Sequence, residues 1–168
     1  MIGSPTELTK LQSDRLESQS GVDLITVDDP ASDVSQLLSR LRASAEVGKT
    51  VIGIRTTSRD GSAPDPLHAS QMLTLIIDLA VECADSMQLD GIYASGGDVA
   101  FAVLDALGAR GYEVENEVVP LAVSGKLVGG PHDGLGFATK GGLVGDADAA
   151  VECINQLRSR IRQSEPRI

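Results

Sequence analysis

The chain has 168 residues, 42% of them hydrophobic and 23% charged, with a formal net charge of −10. Such proportions belong to an ordinary globular protein able to bury a core, and the length favours one domain over residues 1–168. The acidity argues against nucleic acid or an acidic membrane as partner, since a phosphate polyanion is repelled where no basic patch exists. The basic cluster of Arg158, Arg160, Arg162 and Arg167 reads as a solvated helix face and tail.

Cys83 and Cys153 fall among apolar residues of predicted helices, as buried free thiols in a reducing compartment do. Met1-Ile2-Gly3-Ser4 has neither the charged nor the apolar region of a secretory signal. The most apolar stretch, Met72 to Ala84, is interrupted by Asp78 and Glu82 and falls short of the roughly 18 residues of a membrane span. A soluble, cytoplasmic protein is expected.

Along the chain, strand and helix alternate. Ser4, Pro5 and Glu7 suggest a capping box with proline at the first helical position, and the helix runs to about Ser18. Asp23–Val27 is a short strand. Val34, Leu37, Leu38, Leu41 and Ala45 form one face of a second helix, which Gly48 stops. Val51–Ile54 reads as a buried strand, parallel to its neighbours because helices separate them. Thr57 to Pro66 is a polar loop, long enough to suggest function. Leu67 to Met87 is a long helix, apolar nearly all round in its middle, and is either central or buried in a homo-oligomer contact. Gly91–Ser95 is a strand and Asp98–Leu107 a helix. Val114–Val119, Leu121–Val128 and Leu135–Thr139 are strands, partly antiparallel, before a last helix with Ala147, Ala150, Val151, Ile154, Leu157 and Ile161 on one face. The class is α/β: a layered sheet, mostly parallel with some antiparallel strands, flanked by helices.

Gly48-Lys49-Thr50 imitates the end of a phosphate-binding Walker loop. Position 43 is Ala where that loop needs glycine, and the tripeptide closes a helix instead of opening one. Pro131-His132-Asp133-Gly134 reads as a turn. His68 and His132 lie in separate predicted loops with no Cys or Asp at metal-ligand spacing, so no protein metal site is expected.

The chemistry concentrates in three segments. Tyr93-Ala94-Ser95-Gly96-Gly97-Asp98-Val99-Ala100 is a strand running through a double glycine into a helix. There, backbone without side chains comes close to a ligand, and the unpaired N–H groups of the first turn favour an anion. Gly3-Ser4-Pro5 opens another helix, and Thr139-Lys140-Gly141-Gly142 follows a strand. If the strands are mostly parallel, all three meet at the carboxyl edge where such folds bind ligands. Each has a plainer reading: Ser4 a helix cap, Asp98 a first-turn acid, Lys140 a surface lysine.

With these residues in place, the chain resembles the carboxy-terminal nucleotide-binding domain of the four-carbon acid sugar kinases, the D-threonate, D-erythronate and 3-oxo-tetronate kinases. The resemblance rests on Gly3-Ser4 with Thr9 and Gln12, on Gly96-Gly97-Asp98-Val99-Ala100 with Ala106-Leu107-Gly108, and on Thr139-Lys140-Gly141-Gly142 with Gly145-Asp146. It implies an α/β domain that binds ATP with Mg2+ through Ser4, Gly96, Gly97, Asp98, Val99, Lys140, Gly141 and Gly142. Lys140 would neutralise charge on the transferred phosphoryl group and Asp98 would face the magnesium ion. It also implies a sugar-acid-binding domain or subunit as partner, outside these residues, without which nothing is phosphorylated. Three positions depart from the family pattern: Val99 stands for threonine, Leu143 for glycine and Leu121 for glycine. The alternative expectation is a catalytically inactive domain that senses a nucleotide or oligomerises.

Overall fold

The structure, a computed structural model, describes residues 1–3, 6–57 and 65–164. Ser4, Pro5 and most of the polar loop expected at Thr57–Pro66 lie outside the described residues.

The described chain folds in the order α1 (Glu7–Glu17), β1 (Val22–Val27), α2 (Val34–Glu46), β2 (Val51–Thr56), α3 (Pro66–Ser86), β3 (Gly91–Ser95), α4 (Gly97–Ala106), β4 (Gly111–Val119), β5 (Ala122–Val128), β6 (Gly136–Lys140) and α5 (Ala149–Ser164). β1 pairs parallel with β2, and β3 parallel with β6; β6, β5 and β4 continue antiparallel. Ile2 joins the two sets by bridging in parallel to Arg55 on one side and to Ser95 on the other. The sheet therefore runs β1, β2, the Met1–Gly3 segment, β3, β6, β5, β4. The expected mixed α/β class is the observed one.

Helices cover both faces. One face packs α2, α3 and α4 over Ile25, Ile54, Ala94 and Phe137; the other packs α1 and α5 over Ile2, Tyr93, Ala122 and Ala138. The alternation follows from the strand period of two: Phe137 and its neighbour Ala138 are both wholly buried, on opposite sides of the same strand. A central parallel strand buried on both faces reads as a continuous apolar run, as Ile92-Tyr93-Ala94 does.

Four local expectations are corrected. The cap of α1 is Thr6, whose Oγ1 accepts from the Thr9 N–H at 3.1 Å, so the proposed box on Ser4 is displaced by two residues. His68 lies within α3, not in a loop. α3 is also, by length and composition, long and apolar enough to cross a membrane. Here it buries only one stripe, Met72, Leu75, Ile76, Leu79, Ala80 and Cys83, at helical spacing against the sheet. The Gly48 region behaves as a helix stop: Gly48 has φ +87, and the Lys49 ammonium donates to the Val22 carbonyl at 3.4 Å. Arg158 and Arg160, read as solvated, donate to Thr50 Oγ1 and to Glu115.

Candidate nucleotide site

Because β2, Met1–Gly3, β3 and β6 are parallel, their carboxyl ends share one edge. The turns expected to meet do leave from that edge. Gly3 N–H donates to the Ser95 carbonyl at 3.2 Å, and Gly96 N–H donates to the Lys140 carbonyl at 3.0 Å. Gly96–Val99 and Lys140–Gly142 are thus neighbours, with the chain leaving Gly3 beside them. Ser4 itself lies outside the described residues.

Gly96 caps α4 with φ +108, a conformation that a side chain would strain. Its carbonyl accepts the Ala100 N–H at 2.9 Å, which leaves the N–H groups of Gly97, Asp98 and Val99 without partners among the described residues. Gly97 and Asp98 are exposed. A Cβ built on Gly97 meets nothing within 4 Å, so protein packing does not demand glycine there. The missing side chain instead leaves backbone open to close approach from outside, which suits a phosphate on a helix dipole. Asp98 sets a negative charge in the same turn; it steadies the helix but opposes a bare anion.

Val99 contributes differently from Gly97. Its side chain is buried and packs on Gly3 and the core, so only its N–H faces the turn. The hydroxyl of a threonine at this position would be buried with it.

Lys140 is 2% exposed, not a surface lysine. Its Nζ donates to the Gly141 carbonyl at 2.9 Å, and burial lowers its pKa below the ordinary lysine value. Lys140 lies directly opposite Ser95 in the register, and Ser95 Oγ, also buried, makes no well-formed hydrogen bond among the described residues.

The loop after Lys140 is held by α1. Thr6 and Thr9 hydroxyls both donate to the Gly142 carbonyl, at 3.0 and 2.9 Å. The Gln12 amide donates to the carbonyls of Val144 at 3.0 Å and Asp146 at 2.6 Å. Thr9 and Gln12 are almost wholly buried. Spaced at i, i+3 and i+6, these three side chains lie along one side of α1 and fix the loop's backbone. Thr6 and Ser95 were not singled out by sequence reasoning. The three-residue spacing from Thr6 through Thr9 to Gln12 was the signal available for the first; for the second it was its place as the last strand residue before the double glycine. Leu143, in the middle of this loop, is 77% exposed.

Comparison with known proteins identifies the family. A family model described as a nucleotide-binding C-terminal domain matches residues 1–150. The chain is 36% identical over 187 aligned positions to the D-erythronate kinase of Heliobacterium modesticaldum, covering 96% of this chain and 42% of that protein. It is 34% identical over 94 positions to the D-threonate kinase of Bordetella bronchiseptica, covering 56% of this chain and 23% of that protein. Among solved structures, a DUF1537 domain from Bordetella bronchiseptica, a domain-swapped dimer with bound citrate, superposes with TM-score 0.80 at 24% identity over 94% of this chain and 40% of its own. A DUF1537 protein of Haemophilus influenzae gives TM-score 0.73 at 17% identity, over 93% and 39%. These two likenesses show a shared fold. The chain spans about two fifths of the length of the D-erythronate kinase it matches.

Proposed function

Since the chain belongs to the nucleotide-binding C-terminal domain family of the four-carbon acid sugar kinases, we propose that it binds ATP with Mg2+ at the carboxyl edge of its sheet, as the nucleotide half of a cytoplasmic sugar-acid kinase. The observation that carries this is the start of α4: unpartnered N–H groups, positive-φ Gly96, and Gly97 with open space where its Cβ would be. Phosphate oxygens accept from Gly97, Asp98 and Val99, while Gly141 and Gly142 form the opposite lip, braced by Thr6, Thr9 and Gln12.

Among the described residues no group of three or more His, Cys, Asp or Glu side chains is placed to hold a metal ion. In this reading Mg2+ arrives on the nucleotide phosphates as part of the substrate, with Asp98 as the carboxylate that would face it. The ion offsets the repulsion between that carboxylate and the phosphates. The sugar acid and the base that deprotonates its hydroxyl belong to a further domain or subunit, and the γ-phosphoryl group passes to that hydroxyl with Lys140 as the nearby cation.

A second reading, a nucleotide-sensing or oligomerising relative without catalysis, draws on exposed Leu143 in the loop and on the Lys140 ammonium engaged by Gly141. Calorimetric titration with Mg-ATP, with ADP and GTP alongside, tests the site. Saturable binding is expected. Gly97→Ala should leave stability within about 0.5 kcal/mol, because its Cβ meets nothing, yet weaken Mg-ATP at least tenfold. Equal affinity in this variant would remove the nucleotide from the α4 turn.

A further inference from the structure

The sheet has a strand-wide slot at its centre. Met1–Gly3 separates β2 from β3 only near their carboxyl ends, through the bridges of Ile2 to Arg55 and Ser95. Towards the amino ends no described residue stands between the two strands, and a cavity of about 220 Å³ opens there. Its walls are Val51 to Gly53 on one side and Gly91 to Tyr93 on the other. Ala80 and Cys83 from α3 and Leu16 and Leu157 from α1 and α5 give it apolar cover, and Lys49, Thr50, Gln88, Asp90 and Arg158 also line it.

The backbone lining is that of an interrupted ladder. On the β2 side, Ile2 N–H donates to the Ile54 carbonyl at 3.0 Å, and Thr56 N–H donates to the Ile2 carbonyl at 2.9 Å. On the β3 side, the Met1 nitrogen donates to the Tyr93 carbonyl at 2.7 Å, and Ser95 N–H donates to the Met1 carbonyl at 2.9 Å. Alternation along a parallel strand then directs the N–H of Ile54, both groups of Ile52, the N–H of Tyr93 and both groups of Gly91 into the slot. Neighbouring residues agree with this phase: Val51 N–H turns to Gly21 on the β1 side, and the Asp90 carbonyl turns to Gly136 of β6. The described residues offer the slot-facing groups no partner. Two unpaired edges facing each other across an apolar cavity are costly unless a strand fills the space.

We infer that this slot seats a further central β-strand: an extended apolar polypeptide segment, parallel to β2 and β3, that continues in line into Met1. The register is determined. The residue joined to the Met1 nitrogen would donate to the Ile52 carbonyl and accept from Ile54 N–H; the one before it would donate to the Gly91 carbonyl and accept from Tyr93 N–H. About four residues at ~3.3 Å each span the slot. With apolar groups above and below, both alternating faces of the segment must be apolar, which selects Val and Ile over an amphipathic strand. The family's description as a C-terminal domain places more polypeptide ahead of the matched region in such proteins, and this chain matches 42% of the D-erythronate kinase relative. The inference is independent of the nucleotide site.

The test compares the full chain carrying Val-Ile-Val-Val ahead of Met1 with the same chain carrying Ser-Gly-Ser-Gly. A third form, Val-Ile-Val-Pro, places proline at the position that would donate to Ile52. The readouts are the thermal midpoint, amide hydrogen exchange and sedimentation. The apolar extension should raise the midpoint by roughly 5 °C over the Ser/Gly form, and slow exchange at Ile54 and Tyr93 at least tenfold. Proline should cancel most of that gain. Equal midpoints and equal exchange for the three forms would overturn the inference. Slowed exchange that appears only with dimer formation would also overturn it, since a second copy would then be filling the slot.

Discussion

The place of the Cβ that Gly3 lacks is taken by Val99: built on the backbone, that atom would stand 2.5 Å from Val99 Cγ2 and 2.9 Å from Ile76 Cδ1. Gly3 ends the segment that bridges β2 and β3, and Val99 lies in the first turn of α4, so this contact sets how closely the helix start approaches the sheet edge. Gly3→Ala should destabilise the protein by about 1–3 kcal/mol through overpacking. Adding Val99→Ala should recover part of that loss, giving a coupling of about 1 kcal/mol in a denaturant double-mutant cycle. Additive losses would show that the bridging segment moves aside instead of pressing on Val99.

Gln12 spends its amide on two loop carbonyls, Val144 and Asp146. Gln12→Glu replaces a donor pair with a carboxylate that must face those same oxygens while buried. The glutamate then titrates above its ordinary value, because burial and the carbonyls favour its neutral form. The unfolded state gives up the proton first, so stability of the variant falls as pH rises through the carboxylate range and is lowest at neutral pH. Urea unfolding at pH 5 and pH 8 checks the sign. The wild-type chain should show no such difference from this position, and proteolysis of the Gly141–Asp148 loop should accelerate in the variant.

Leu121 is the one described non-glycine residue with positive φ, at +67, and it is 77% exposed. A left-handed conformation costs a branched side chain on the order of 1–2 kcal/mol, and here little burial offsets it. Leu121→Gly should stabilise the turn between β4 and β5 by up to about 1 kcal/mol, since the added entropy of the unfolded chain takes back part of the gain. A thermal midpoint below that of the wild type would mean that Leu121 makes an apolar contact outside this chain.

Cys83 and Cys153 are buried and unpaired, and burial pushes both thiols up to about 11. The proton is held more tightly folded than unfolded, so their contribution to stability is intact below pH 9 and is lost as pH rises from about 9 to 11. Replacing both with alanine should flatten that part of the stability profile. In the native protein at pH 8 neither thiol should react with a disulfide reagent on the minutes scale, and both should react in urea.

The sequence by itself determined the elements and their class. Apolar spacing placed α2 and α5, glycines marked helix ends and the α4 turn, and helices between strands implied parallel pairing. These are local consequences of side-chain period and backbone freedom, which need no knowledge of distant residues. Even so, the cap expected at Ser4 falls at Thr6, because several residues in that turn can cap and only the path of the chain selects one.

Contacts across the sheet belonged to the tertiary structure alone. That Met1–Gly3 would be the central rung, with Ile2 between Arg55 and Ser95, cannot be read from a three-residue segment too short to carry any period. That Lys140 would be buried on the Gly141 carbonyl, and Val99 turned inward onto Gly3, depends on which face of a strand or helix meets which neighbour. Likewise Thr9 and Gln12 could be seen in the sequence, but their partners lie more than 130 residues away. Hydrogen bonds of that kind are decided by packing, after the sheet has brought the two ends of the chain together.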